Sequence, residues 1–156
     1  MSKLLLSKRK KLADNKGLTL PELMVSAGIL VLVIGGILFS YITCLDLSQF
    51  ARNSSLAVRS SKARMEKIKN TPFAQIKANY DGVTFTATGL NGIGVSYVDD
   101  SNANLLLITT SFCWRQPNGR IIGEDLNLDG QYLGEDVNGN EMLDSIVQLT
   151  SYIYNG

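Results

Sequence analysis

The stretch KGLTLPELMVSAGILVLVIGGILFS, residues 16–40, decides how the rest of the chain is read. A glutamate, Glu22, stands just inside an apolar run, and a lysine-rich stretch ends a few residues before it. From Leu23 to Leu45, 23 consecutive residues carry no formal charge. At about 1.5 Å rise per residue, such a helix is long enough to cross a hydrocarbon core of about 30 Å. A carboxylate at the edge of that segment is unfavourable unless it has a partner.

Charge is unevenly distributed around this run. Residues 1–17 hold Lys3, Lys8, Arg9, Lys10, Lys11 and Lys16 against Asp14, a net of +5, while the remaining residues carry a net of −4. The basic stretch precedes the apolar one, so the N-terminus is expected in the cytoplasm and the remainder outside it. The chain has no histidine, which excludes Ser-His, Cys-His and histidine-metal chemistry. Two cysteines, Cys44 and Cys113, are too few for a disulfide framework, and two buried thiols are expected.

Several segments begin with a basic stretch and an apolar run. One is a plain signal anchor, and another is a cleavable secretory signal cut after its apolar core. A lipoprotein signal ending at Cys44 fits poorly, since Tyr41-Ile42-Thr43 lacks the small residues such a site wants. The heptapeptide Gly17-Leu18-Thr19-Leu20-Pro21-Glu22-Leu23 instead resembles the cleavage motif of type IV prepilins and pseudopilins. The resemblance implies a prepilin peptidase that cuts between Gly17 and Leu18 and methylates the new N-terminus. It also implies that Glu22, the fifth residue of the mature chain, meets the terminal amine of a neighbouring subunit during assembly. Leu18 replaces the usual phenylalanine, and Pro21 stands where a branched aliphatic is common. A helix's first turn accommodates Pro21, because its N–H would be unbonded anyway. Thr19 and Glu22 have the spacing of a capping box.

Beyond the apolar run the helix is expected to continue. Leu47, Phe50, Ser54, Ala57, Ser61, Met65 and Ile68 recur at steps of three and four, with Arg52, Arg59, Lys62, Arg64, Lys67 and Lys69 off that stripe. Pro72 disfavours helix at Thr71, so the end is expected near Asn70. Gly35-Gly36 is a soft point within it. Residues 71–156 read as β, with strands at Val83–Thr86, Gly94–Val98, Asn104–Trp114 and Ser145–Tyr154. Asp99-Asp100-Ser101-Asn102 is the expected turn between the second and third. The fold class is α+β: a long N-terminal helix packed on a small antiparallel sheet, the architecture that the pilin resemblance also implies. The expected organisation is a cleaved basic leader over 1–17, a membrane-spanning segment over 18–45, a stalk helix over 46–70 and a β head over 71–156. Met65–Phe73 together with a Trp-containing strand also resembles minor pilins.

The connection from Glu124 to Asp144 has chemistry of its own. Counted from Asp125, side-chain oxygens fall at positions 1, 3 and 5 (Asp125, Asn127, Asp129), glycine at 6, Gln131 at 7 and Asp136 at 12. This is the oxygen spacing of an EF-hand-type calcium loop, with Asp at the closing position. A looser second round runs Asp136, Asn138, Asn140 and Asp144, without glycine at its sixth position. Hard oxygen donors suit Ca²⁺ rather than zinc, while Asp, Asn and Gly also form turns without any metal.

The sequence therefore predicts a non-catalytic, single-pass inner-membrane protein with its head outside the cytoplasm, built into a type IV pilus or a type II secretion pseudopilus. The resemblance implies as partners the prepilin peptidase, other pilin or pseudopilin subunits and an inner-membrane assembly platform; no residue pattern points to nucleic acid. The competing reading is a membrane-anchored calcium-binding or adhesion domain that never polymerises.

Overall fold

The structure, a computed structural model, describes residues 17–155. The basic leader as far as Lys16 lies outside the described residues. Two compact units divide between Thr43 and Cys44. Helix α1, Leu20–Lys69, is 50 residues long and passes through that boundary. It is continuous through Gly35-Gly36. Its most apolar window has a mean hydropathy of 2.5 and no buried residue. An apolar surface all round a helix with no protein against it suits hydrocarbon rather than water. α1 is thus one helix long and apolar enough to cross a membrane.

From Cys44 on, the chain is an antiparallel sheet with α1 on one face. The strands are β1 (Val83–Thr86), β2 (Gly92–Asn102), β3 (Leu105–Arg115), β4 (Ile121–Ile122) and β5 (Gln148–Tyr154). β3 is central: β2 and then β1 lie on one side, while β4 and β5 share its other edge at opposite ends. Ser96 pairs with Thr110, Val98 with Ile108, and Leu106 with Ile153, which places their side chains on the same face. That face receives the helical stripe. Met65 and Ile68 pack with Val98, Leu106 and Ile108 in one core cluster, and Ala57 packs with Phe112, Trp114 and Ile122 in another. The stripe is buried from Ala57 onward, whereas Leu47 is exposed. Gly94 allows Phe85 and Phe112 to close to 5.6 Å between ring centroids, and a Cβ there would strike both rings.

Several elements depart from the expectation. A second helix, α2, covers Phe73–Tyr80, where the sequence suggested no element. Pro72 ends α1 and is also the N-cap residue of α2. The helix is only eight residues long and is held by Ile76 and Tyr80, one turn apart and both buried. The sheet has five strands rather than four, since the two-residue β4 pairs with Trp114 and Arg115. β2 continues through the expected turn to Asn102, with a register shift between Asp99 and Asn102, and the chain reverses at Ala103-Asn104. β5 starts at Gln148 rather than Ser145. Arg64, off the apolar stripe in the sequence, is partly buried. Its guanidinium lies 4.7 Å from the Tyr80 ring centroid and donates to Ser96 Oγ at 3.0 Å, and burial lowers its pKa. Cys113 is buried as expected, but Cys44 is exposed, and both are free thiols.

Candidate functional site

Two places carry the residues singled out by sequence, one in each compact unit. At the start of α1, Gly17, Leu18 and Thr19 are non-helical and exposed, and the helix begins at Leu20. Leu23 N–H donates to the Thr19 carbonyl at 3.1 Å. Pro21 and Glu22 fall in the first turn, where an acidic side chain is favoured by the unbonded N–H groups and the helix dipole. The described backbone from the Gly17–Leu18 bond to Thr19 is therefore free of secondary structure.

The acidic connection covers the second face of the sheet, opposite α1. That face presents Ile93, Val95, Tyr97, Thr109, Ser111 and Cys113, which alternate with the residues of the helix-facing side. Gly130 stands so close to Thr84 that a Cβ would collide with its methyl group. Leu143, 1% exposed, donates its N–H to Tyr97 Oη at 2.9 Å. Burial pushes the Tyr97 hydroxyl up to about 12. Gly123, at φ +105, lets the Cys113 thiol sit where a Cβ would be. Cys113 Sγ in turn donates to the Asp144 carbonyl at 3.8 Å, and burial raises the thiol's pKa.

Within the connection, two six-residue turns repeat the same hydrogen-bond pattern. In the first, Asp125 accepts N–H bonds from Asp129 at 3.1 Å and Gly130 at 2.9 Å, four and five residues on. Asn127 Oδ1 accepts from Asp129, and Asp129 Oδ1 accepts from Gln131. In the second, Asp136 accepts from Asn140 at 3.3 Å and Glu141 at 2.7 Å, again four and five residues on. Asn138 Oδ1 accepts from Asn140, and Asn140 Oδ1 accepts from Met142. The backbone repeats as well: the fourth residues, Leu128 (φ 61) and Gly139 (φ 74), are left-handed, as are the sixth, Gly130 (φ 79) and Glu141 (φ 61). Leu128 and Glu141 hold a conformation that ordinary side chains rarely adopt. Glu141 takes the place that sequence reading wanted for glycine, and its N–H bond to Asp136 accompanies that backbone.

Asp136, the twelfth position of the first round, is also the opening residue of the second turn. The Asp136 carboxylate is occupied by its own turn: burial pushes its pKa up, but N–H bonds from Glu141, Gly139, Asn140 and Asn138 outweigh that and hold it below the usual value. Glu135, which sequence reasoning did not single out, reaches back to the first turn and accepts Leu126 N–H at 2.9 Å. Asp144 Oδ2 accepts the side-chain amides of Asn138 at 2.6 Å and Asn140 at 3.0 Å, which gathers the second turn around one carboxylate. Gln131 takes part through its backbone N–H. Among the described residues, no three or more carboxylate, thiol or imidazole groups are gathered into a metal cage. The donor types are nevertheless those Ca²⁺ takes. Asp125 is 0% exposed, and residues 124–144 contain no Lys or Arg. A buried carboxylate compensated only by two amide donors is a place where a cation would relieve desolvation.

Comparison with known proteins finds no matching family model, no matching curated protein and no matching solved structure.

Proposed function

We propose that this chain is a prepilin-like structural subunit, processed between Gly17 and Leu18, held in the inner membrane by the first part of α1, and assembled into a type IV pilus or type II secretion pseudopilus. Its partners on this reading are the prepilin peptidase, neighbouring subunits and a membrane assembly platform. The observation that carries the reading is one juxtaposition: a non-helical Gly17-Leu18-Thr19 leads directly into a long apolar helix with Glu22 in its first turn. Cutting after Gly17 leaves an amine on Leu18, close to the carboxylate in its own chain and available to that of a neighbour. Neutralising a carboxylate and an amine across subunits in a medium of low dielectric favours addition and sets the register. The α+β fold, with α1 laid on an antiparallel sheet, is compatible with this role and does not by itself require it.

The acidic connection completes the proposal as a calcium-binding element. Asp125, Asn127 and Asp129 form its first turn, and Asp136, Asn138, Asn140 and Asp144 its second. Bound Ca²⁺ would offset carboxylate repulsion and order the connection over the sheet; no catalytic step is assigned to the chain.

The test is mass spectrometry of the mature protein from a peptidase-competent host, together with the variant Glu22→Ala. The expected mature chain starts at Leu18 and is N-methylated. Glu22→Ala is expected to insert and be cut normally but to enter filaments poorly, because the apolar run still specifies the span. An intact leader would leave a membrane-anchored binding head that does not polymerise, whereas normal incorporation of the variant would remove the assembly role of Glu22 and leave its carboxylate at the membrane edge without a partner.

A further inference from the structure

From Cys44 on, the molecule is electrically two-sided. On the helix side of the sheet, α1 carries Arg52, Arg59, Lys62, Lys67 and Lys69, all exposed. On the other side, the connection 124–144 carries seven carboxylates and no cation. Among the described residues the only ion pair is Lys77–Asp100, at 2.6 Å, so neither set is neutralised within the chain. Shape accompanies the charge. A hollow of about 390 Å³ opens between α1 and the turn after β1, lined by Leu56, Arg59, Ser60, Ala63 and Thr86–Thr88. A second, of about 440 Å³, shares Arg59 and Ala63 and adds Lys62, with Glu66 the one carboxylate in its lining. The small side chain of Ala63 leaves the floor open beside Arg59 and Lys62. In the connection, Leu133 is 79% and Val137 84% exposed, the two most exposed large apolar side chains of this compact unit among the described residues. They flank Glu135 and Asp136 in sequence. Two apolar knobs with carboxylates between them are complementary to a hollow where Leu56, Ala63 and Ala87 stand among hydroxyls, with cations at the rim.

We infer that the α1 hollow around Ala63 receives segment 133–137 of a second copy of this chain, with Arg59 and Lys62 facing Glu135 and Asp136. The inference rests on the subunit reading above and names the surface through which heads meet. Donor and acceptor lie on opposite faces of the sheet, so the contact is head-to-tail and a joined pair retains one unused hollow and one unused segment. A contact of that kind leaves both ends of a pair able to add further copies. Bound Ca²⁺ leaves the connection acidic, since seven carboxylates exceed one divalent charge. Opposed charge patches of this kind steer encounter and fix register more than they add affinity.

The test uses the full chain in phospholipid vesicles, as a mixture of isotopically heavy and light protein, treated with a carbodiimide that joins amines to carboxylates at zero length. The expected product is a heavy–light peptide pair linking Lys62 to Glu135 or Asp136. Raising the salt to about 1 M, where the screening length falls to about 3 Å, is expected to suppress it. Arg59→Glu is expected to reduce its yield about fivefold, the size of one exposed charge pair, and Arg59→Glu with Glu135→Arg to restore it. Leu133→Ser with Val137→Ser, which leaves every charge in place, is also expected to lower the yield. Links found only within one chain overturn the inference. So does failure of the charge swap to restore the product, or protection of Lys62 that depends on anionic lipid rather than on the second copy. Because this readout needs neither cleavage nor filaments, a heavy–light link with an uncut leader would keep this surface and reject the subunit reading, whereas normal filaments without the link would do the reverse.

Discussion

Tyr97 shows how single residues hold the acidic connection against the sheet. Its hydroxyl accepts the N–H of Leu143 at 2.9 Å and is held at a pKa of about 12 by burial. In Tyr97→Phe that N–H is left buried without a partner, which costs about 1–3 kcal/mol. The same hydroxyl makes stability depend on alkaline pH. An unfolded tyrosine ionises near pH 10, so the unfolded chain releases its proton first as pH rises. The contribution is intact below about pH 10 and is lost as pH rises towards about 12. Melting measured from pH 8 to 12 should therefore show an alkaline loss that is smaller in Tyr97→Phe.

At the scale of elements, α1 is two helices in one by environment. Its later residues are buried by the sheet, and Ile68 is 0% exposed, while Leu47 is 64% exposed. Ile68→Ala is expected to destabilise the head by about 2–5 kcal/mol in denaturant titration, through lost transfer energy and the cavity left behind. Leu47→Ala should stay within about 0.5 kcal/mol. The paired turns of the connection make the corresponding prediction for calcium. If Ca²⁺ binds only the folded state, the full chain in detergent should melt higher with calcium than with chelator, by about 2.7 kcal/mol at a hundred times the dissociation constant. Asp129→Ala should remove most of that difference. Equal melting with and without calcium, and no heat of binding, would leave two hydrogen-bonded turns and no metal.

At the scale of the whole molecule, the apolar part of α1 decides where the protein resides. None of its most apolar window is buried against the described residues, which leaves that surface free to meet hydrocarbon. Val31 lies near the middle of the uncharged run. Val31→Arg places a charge there at about 2.5–3.5 kcal/mol on an insertion scale. The expected result is a larger fraction released from membranes by alkaline carbonate, while Leu47→Arg, outside the run, leaves extraction unchanged.

Sequence alone determined the features that follow from local composition and period. Leu23–Leu45 announces a helix long and apolar enough to cross a membrane, because 23 residues in a row carry no charge. The stripe through Ala57, Ser61, Met65 and Ile68 was readable because helical period and burial coincide there. β1 was found at Val83–Thr86, as expected. Asp125, Asn127, Asp129 and Gly130 were recognisable because oxygen spacing is a linear property of the chain. Tertiary contacts decided the rest. α2 depends on Ile76 and Tyr80 finding the sheet, a reward that eight residues do not advertise. β4 exists because β5 leaves the end of β3 open beside Trp114 and Arg115. The Arg64 guanidinium is held over Tyr80 by packing, although its sequence position placed it only off the apolar stripe. Asp136 turned its carboxylate to its own amides and left Glu135 to reach the first turn, because hydrogen-bond partners are chosen by proximity in space and spacing along the chain only limits the candidates.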